Sequence, residues 1–478
     1  MRPRHVHFAL AVAAALIAGC AGYLHEPYRL GDKSPVVDER FDLYFVEADD
    51  EGWFWQADQA NRALDAVRRS AAARNTFVLL FVHGWHHSAQ CCDDNVESFK
   101  ETLKRLHIEL TRPDYRRARG EPTPTPTSAA DDSFKLIGIY LGWRGRSLPG
   151  PLDYLTFWGR KSAAERVGET DAREFIARLN RIYLDHPFGD NDDNFLGVIS
   201  MGHSFGAQLL MRAMTTTLER DLIQLNPLPG YLRQREPPKP AVEPVALQGI
   251  GDLVILLNPA AEAAAYHRLH LLSMGLEYRE SQTPVLITFS AENDKARRKL
   301  FTIGRLLGEF FTGKAPKADP AERETERKAL GIDGEYVRHV THRIQPHDPD
   351  AQLVPERIVR EPEGYCEVRG ECVAKWLRWA DPETLQSAPD TLSAADARLR
   401  TFDFSGDVRL GNVELKPYAG AITRQPLIVA TASKAIIDDH SGIFTEPFLQ
   451  FLIPYIALIE SKIAMNPADD LEKKRRAR

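Results

Sequence analysis

The sequence has no excess of positive charge, no internal repeat and no zinc-binding pattern of the His-Glu-x-x-His type. Its formal net charge of −6 at pH 7 argues against nucleic acid as a partner. Basic residues do cluster at 473–478, but such a terminal run is more typical of a solvated tail than of a binding site. The 478 residues include 43% hydrophobic and 27% charged side chains, which is the composition of a globular protein with a large core.

One segment carries most of the chemical information. Gly202-His203-Ser204-Phe205-Gly206 follows the apolar run 195–200 and precedes good helix formers at 207–214. A serine between a buried strand and a helix is the setting of a nucleophile elbow, in which the hydroxyl is exposed above the edge of a sheet. The two glycines suit this turn because a Cβ would obstruct its torsions and the close helix-strand contact. We predict Ser204 as a nucleophile; the alternative is a tight turn with an incidental serine.

A serine nucleophile needs an acid and a base, and both candidates follow later apolar runs. Asp294 lies just beyond the run 284–289, where it would accept a hydrogen bond from a histidine ring and stabilise the imidazolium. Glu292 is the alternative acid, and either carboxylate could instead be a solvated loop residue or a helix cap. His440 lies in a predicted loop before a C-terminal helix. It is the predicted general base because neutral imidazole takes up and returns a proton near neutral pH.

Another apolar run, at 75–82, ends in His83-Gly84-Trp85 and supplies a candidate oxyanion site. Glycine lets the loop turn so that a backbone N–H points at the charge that develops on the substrate oxygen. We predict the N–H groups of Trp85 and Phe205 as the two donors. The Phe205 N–H follows the nucleophile and opens a helix, where the macrodipole also favours an anion.

Taken together, four segments resemble the α/β-hydrolase superfamily in its serine esterase and lipase branch; they are 81–85, 202–206, 290–294 and 438–440. The chain order Ser204, Asp294, His440 is also the order of that family. The resemblance implies an α/β fold with a mostly parallel central sheet flanked by helices, an acyl-enzyme mechanism and no cofactor. It covers residues 40–311 and 420–465, with further strands expected at 41–47, 137–142 and 252–257.

The predicted organisation places a large insertion between the acid and the histidine. This insertion would shape substrate access or dock a partner, or else be a peripheral ornament. A helical apolar pattern at 299–311 fits a packing helix or a lid. The predicted parts are a signal peptide at 1–19, the first part of the hydrolase core at 20–311, the insertion at 312–423, the last part of the core at 424–465 and a polar basic tail at 466–478.

The N-terminus indicates a location. Positive residues precede an apolar run at 8–17 that is too short to span a bilayer comfortably, so we interpret it as a signal peptide. Ile17-Ala18-Gly19-Cys20 resembles the lipobox of bacterial lipoproteins. That resemblance implies that Cys20 becomes the lipidated first residue of the mature chain, and Ala21 after it favours the outer membrane, facing the periplasm. The alternative is an ordinary signal peptide with an incidental cysteine.

Histidines and carboxylates between residues 83 and 94 raise the alternative of a metal site. No familiar zinc spacing is present and the segment begins as a turn, so we predict no metal there. His86 and His87 would instead line the mouth of the active site or cap a helix expected at 95–110. Among the other cysteines, Cys366 and Cys372 could form a local bridge, whereas Cys91 and Cys92 could pair together, bridge elsewhere or stay free.

The function predicted from these features is hydrolysis of carboxylic acyl esters by a Ser-His-Asp triad in the bacterial cell envelope. The substrate would be a small acyl ester or a lipid, and the membrane would be a partner through the lipid anchor. The same machinery could cleave amides or transfer acyl groups. A different class also remains open, namely a non-catalytic scaffold or binding lipoprotein with a hydrolase fold.

Overall fold

The computed structural model describes most of the predicted core. The described residues are 27–29, 35–121, 133–145, 156–186, 194–225, 243–294, 297, 320–333, 338–350, 353, 364–366, 372–374 and 392–477. The predicted signal peptide, Cys20 and the helical pattern at 299–311 lie outside them.

Eleven strands form one sheet in the order β1-β2-β4-β3-β5-β6-β7-β13-β8-β12-β11. Neighbours from β2 to β8 in that order are parallel, and antiparallel pairs occur only towards the two ends of the sheet. The strands are β1 (Val36–Val37), β2 (Asp42–Glu47), β3 (Asn75–Val82), β4 (Phe134–Gly142), β5 (Leu196–His203), β6 (Leu253–Leu257), β7 (Leu286–Ala291), β8 (His342–Pro346), β11 (Val408–Leu410), β12 (Val413–Pro417) and β13 (Leu427–Ala432); β9 (Gly364–Cys366) and β10 (Cys372–Ala374) form a separate hairpin.

Helices cover both faces of the sheet because its central strands are apolar on both sides. Strand β3 illustrates this, since Phe77, Leu79 and Phe81 belong to the hydrophobic cluster on one face, and Val78, Leu80 and Val82 belong to the cluster on the other. The helices are α1 (Ala57–Ala73), α2 (Asp94–Leu110), α3 (Pro113–Ala118), α4 (Phe157–Glu169), α5 (Asp171–Leu184), α6 (Phe205–Leu225), α7 (Ala263–Met274), α8 (Pro320–Arg327), α9 (Glu446–Ala464) and α10 (Pro467–Ala477).

The expected α/β class is confirmed as a large, mostly parallel sheet with flanking helices. Strands occur where the sequence predicted them, as β2, β4 and β6. The segment 312–423 contributes to this same sheet, because β8, β11 and β12 lie within it. Cys366 and Cys372 are register partners in the antiparallel β9-β10 pair, and the bridge between them stays a prediction.

The C-terminal residues pack against the domain. Helix α9 is long and apolar enough to cross a membrane, but 83% of its most apolar window is buried inside the protein, as in a core helix. Helix α10 shows that residues 467–477 are not the solvated tail that their charge predicted. Lys474 is buried, lies 3.1 Å from an Asp470 carboxylate oxygen and places its ammonium 3.8 Å from the centre of the Tyr183 ring. An ion pair and a cation-π contact therefore hold the basic run in place.

A pair of glycine substitutions tests how closely α6 packs against the end of β3. A Cβ on Gly206 would overlap the carbonyl oxygens of Val82 and His83, whereas Gly159, inside α4, has no atom within 4 Å of its would-be Cβ. We expect Gly206→Ala to lower the free energy of unfolding by about 1–3 kcal/mol. Gly159→Ala should raise it by roughly 0.5–1 kcal/mol because alanine favours a helix. Urea unfolding measures both, and a Gly206→Ala variant as stable as the parent would contradict this packing.

Candidate active site

Ser204 sits on the sharp turn between β5 and α6. Its backbone φ is 54°, in the left-handed region that costs a non-glycine residue about 1–2 kcal/mol. Hydrogen bonds hold this turn: the Ser204 N–H donates to the Leu257 carbonyl at 2.9 Å, and the Ser204 carbonyl accepts from the N–H groups of Gln208 and Ala260 at 3.1 Å each. The strained turn is thus fixed by the end of β6 and by the first turn of α6.

Ser204, His440 and Asp294 meet at the carboxyl edge of the sheet. His440 Nε2 lies 2.8 Å from Ser204 Oγ, and His440 Nδ1 lies 2.6 Å from Asp294 Oδ2. The three residues follow β5, β13 and β7, and the carboxyl ends of parallel strands share one edge. Ser204 and Asp294 are buried, while the His440 side chain is 22% exposed and is therefore the member of the set that reaches solvent.

The charge state of Asp294 determines which nitrogen of His440 faces the serine. Burial alone would raise the pKa of Asp294, but the neighbouring His440 and Arg297 lower it to about 2. Asp294 Oδ1 also accepts a hydrogen bond from the Arg297 N–H at 2.9 Å. An ionised carboxylate only accepts, so the ring proton of neutral His440 lies on Nδ1 and the Nε2 lone pair faces the serine hydroxyl. This arrangement can withdraw a proton from Ser204.

Glu292, the alternative acid, lies elsewhere. One of its carboxylate oxygens is 2.9 Å from an Arg343 guanidinium nitrogen on β8, and its side chain is one-third exposed. Its N–H donates to the Ala432 carbonyl at 3.0 Å. The structure therefore brings Asp294, and not Glu292, to His440.

The predicted oxyanion donors lie on either side of the elbow. Phe205 is the first residue of α6, where N–H groups have no partner within the helix. The loop after β3 touches the same turn, because a Cβ on Gly84 would lie 2.9 Å from Ser204 Cβ and 2.8 Å from His203 Nδ1. The centre of the neighbouring Trp85 ring lies 5.2 Å from the centre of the Phe157 ring and 6.4 Å from that of the Phe205 ring. The role of the Trp85 and Phe205 amides in binding an oxyanion stays a prediction.

Two residues that the sequence did not single out hold the histidine loop. Asn258 is buried just after β6 with a φ of 43°, and its Nδ2 donates to the carbonyls of Asp439 and His440 at 3.1 and 2.8 Å. Its Oδ1 accepts the Ala291 N–H at 2.7 Å, which ties the loop to β7. His203 Nε2 donates to the same His440 carbonyl at 2.9 Å. The available signal was position, because Asn258 directly follows the apolar run of β6.

The histidines after β3 have separate roles. His83 is fully buried: its Nε2 accepts the Trp143 N–H at 3.0 Å, and its Nδ1 donates to the Gly84 carbonyl at 2.9 Å. Burial lowers the pKa of His83 to about 4, so the ring is neutral at neutral pH. His83 thus holds together the loops after β3 and β4.

His87 was predicted at the mouth of the site or at the helix cap, but the cap of α2 is Asp93, whose side chain accepts the Asn95 N–H.

His87 and the acidic start of α2 form a cluster that could hold a metal ion by its geometry. His87 Nδ1 lies 3.2 Å from an Asp93 oxygen and 3.0 Å from an Asp94 oxygen. Burial alone would lower the pKa of His87, but these two carboxylates raise it to about 10. The His87 ring is therefore protonated at neutral pH, and its own positive charge faces the two carboxylates. Cys91 and Cys92 directly precede the acidic residues of this cluster, and their sulfur atoms lie 3.7 Å apart.

Comparisons with known proteins give little support to any assignment. No protein-family model matches the chain, and no curated protein matches it. A solved structure of an inhibited esterase B from Lactobacillus rhamnosis is 14% identical, covers 53% of this chain and 69% of its own, and superposes with a TM-score of 0.17. A TM-score this low establishes neither a shared fold nor a shared activity.

The pH dependence of stability tests the charge on His87. The folded protein keeps a proton on this ring up to about pH 10, whereas the unfolded chain loses it near 6.5. The contribution of the His87 charge to the free energy of unfolding is therefore complete below pH 6.5 and disappears as the pH rises towards 10. Between these limits the stability advantage of the parent over His87→Gln should fall by about 1.4 kcal/mol per pH unit. Urea unfolding of both proteins across this range measures the slope, and a difference independent of pH would mean that His87 is neutral.

Proposed function

We propose that the protein is a serine hydrolase of the α/β-hydrolase fold that cleaves carboxylic acyl esters. The observation that carries this proposal is the continuous chain of hydrogen bonds from Ser204 Oγ through the His440 ring to the ionised Asp294. A serine on a strained elbow, an imidazole beside it and a buried carboxylate behind that imidazole are the parts that nucleophilic acyl transfer needs.

In the proposed reaction Ser204 Oγ attacks the ester carbonyl carbon while its proton moves to His440 Nε2. The former carbonyl oxygen becomes an oxyanion, which the N–H groups of Trp85 and Phe205 would bind. The bond to the alcohol oxygen then breaks, and that oxygen takes the proton from His440, leaving an acyl-Ser204. Water, deprotonated by His440, attacks this ester, and the proton returns to Ser204 as the carboxylic acid leaves. Asp294 remains ionised throughout and stabilises the imidazolium.

We further propose that acylation of Cys20 anchors the chain to the bacterial outer membrane on its periplasmic side. The support is the lipobox-like run 17–20 together with Ala21 after it. Several acyl chains would hold the protein firmly, since each buried methylene contributes about 0.8 kcal/mol.

Covalent labelling tests the nucleophile. A fluorophosphonate probe should add once, at Ser204, and Ser204→Ala should abolish both labelling and the turnover of p-nitrophenyl esters. Asp294→Asn should lower kcat by about 10⁴-fold because the uncharged amide no longer fixes the reactive tautomer of His440.

The matched control is Glu292→Gln. It changes a carboxylate two residues away that pairs with Arg343 and should keep activity within about twofold of the parent. A folded parent protein that neither labels nor hydrolyses short and long esters would refute the enzyme proposal and favour a non-catalytic scaffold.

Asn258 provides a test of how the histidine is positioned. Asn258→Ala removes the two amide hydrogen bonds to the 439–440 carbonyls and leaves only the bond from His203, so we expect kcat to fall by roughly 10–100-fold while KM stays nearly constant. Asn412→Ala, in the turn between β11 and β12, is the control and should leave kcat unchanged. Equal losses in kcat from both substitutions, or a change in KM alone, would contradict a positioning role for Asn258.

A further inference from the structure

Three exposed aromatic side chains lie on the segments 27–29 and 53–55, which both hydrogen-bond to Glu47 where the chain enters the described domain. Trp53 is 62% exposed, Tyr28 55% and Trp55 44%, which makes them the three most exposed aromatic rings among the described residues. Trp53 and Trp55 lie in the turn after β2, where the Trp55 N–H donates to the Glu47 carbonyl at 3.0 Å. Below we call Tyr28, Trp53 and Trp55 the aromatic surface. Tryptophan and tyrosine are the residues that favour the boundary between lipid and water.

Buried Glu47 attaches the segment 27–29 to this surface. Its two carboxylate oxygens accept the N–H groups of Tyr28 and Arg29 at 3.0 and 2.7 Å, and Gln59 Nε2 donates to the Arg29 carbonyl at 3.0 Å. Glu47 is the last residue of β2, so the chain joins the domain at the carboxyl edge of the sheet. The aromatic surface and the entry point of the chain are therefore the same place.

Chain length then limits the distance of this surface from the proposed anchor. Only six residues separate Cys20 from Pro27, so seven Cα–Cα steps connect them. Fully extended, seven steps span at most about 25 Å. If Cys20 carries the lipid, Pro27, the neighbour of Tyr28 in the aromatic surface, lies within that distance of the lipid attachment point.

Most charges around the aromatic surface are paired. Asp50 pairs with Arg144 and Arg160, and Glu51 lies 3.4 Å from Arg166. Asp49 and Asp171 accept backbone N–H groups of this turn, Asp49 from Glu51 and Trp53 at 2.9 Å each and Asp171 from Phe54 at 2.8 Å. The guanidinium groups therefore do not outnumber the carboxylates. Such a surface suits zwitterionic lipid headgroups and gains nothing from an anionic partner.

The aromatic surface also adjoins the candidate active site. A cavity of about 230 Å³ opens between Tyr28, Trp55 and Trp143. Trp143 follows β4, stacks on His83 with ring centres 5.7 Å apart and lies 6.5 Å from the Phe205 ring beside Ser204. The aromatic surface and the serine elbow thus share one edge of the sheet.

We propose that the aromatic surface rests in the headgroup layer of the membrane that carries the anchor, so that the carboxyl edge of the sheet faces lipid. The proposal uses the proposed anchor at Cys20. Together with the proposed function, it names the substrate class as acyl esters presented at a membrane surface, such as lipids and lipid-like amphiphiles.

The test measures vesicle binding without the anchor and without turnover. The probe is a phosphatidylcholine vesicle, and the protein is the processed chain 20–478 carrying Cys20→Ser and Ser204→Ala. This chain should sediment with the vesicles at low and high salt, because salt screens interactions between charges and not the partitioning of aromatic rings. Replacing both Trp53 and Trp55 with serine should weaken partitioning by about tenfold or more. Tyr418→Ser, which changes a ring exposed to 43% near the opposite end of the sheet, is the control and should bind as the parent does.

A second measurement needs no change to the aromatic surface. Vesicles with brominated acyl chains should quench the tryptophan fluorescence of the parent chain, which keeps the test valid if the double variant fails to fold. Absence of vesicle binding, binding unchanged by the double substitution, or binding that needs anionic lipid and is lost at high salt would each overturn the proposal. If the chain binds vesicles but the protein with an intact Ser204 does not react with fluorophosphonate, the proposal of a membrane-binding surface stands and the proposal of a hydrolase is refuted.

Discussion

The hydrogen bond between Asp294 and His440 is the interaction on which the rest of the site depends. At 2.6 Å it joins a buried carboxylate to a ring whose other nitrogen faces Ser204. The carboxylate stays ionised because Arg297 and His440 offset the penalty of burial. If Asp294 were neutral it could donate to His440 Nδ1, the ring proton would then lie on Nε2, and the serine would face a donor where it needs an acceptor. The charge of one carboxylate therefore determines whether three side chains form a proton-transfer chain or only a hydrogen-bonded cluster.

The fold supplies the rigidity that this arrangement needs. Ser204 has a left-handed backbone and Asn258 another, and neither conformation is favourable for a residue with a Cβ. Both lie where strands of a fully buried parallel sheet end, so hydrogen bonds from neighbouring strands fix them: the Ser204 N–H to β6, and the Asn258 N–H to the Phe289 carbonyl of β7 at 2.8 Å. Packing of the sheet between two hydrophobic clusters offsets this local strain. The candidate site is thus strained locally but supported by the buried core of the sheet.

The sequence predicted the strands and the residues that follow them, because a buried parallel strand is a continuous apolar run and its end marks the sheet edge. It could not choose firmly between Asp294 and Glu292, which follow the same strand two residues apart; only the partners, His440 and Arg343, distinguish them. It also did not single out Asn258, because an amide that binds two carbonyls 181 and 182 positions away leaves no local pattern. The extension of the sheet by β8, β11 and β12, and the packing of Lys474 in α10, depend on long-range pairing in the same way.

A parallel sheet also explains why features that are distant in sequence share one edge. Every parallel strand ends on the same side, so the residues after β2, β4, β5 and β7 emerge together whatever their order along the chain. Glu47 ends β2 and holds the segment 27–29, Trp143 follows β4 and braces His83, and Ser204 follows β5. A chain tethered through its N-terminal segment would therefore keep its serine edge close to whatever carries the tether. Under the proposed anchoring, the closeness of the site to the membrane is a consequence of sheet topology, and contact of the aromatic surface with lipid would set its orientation.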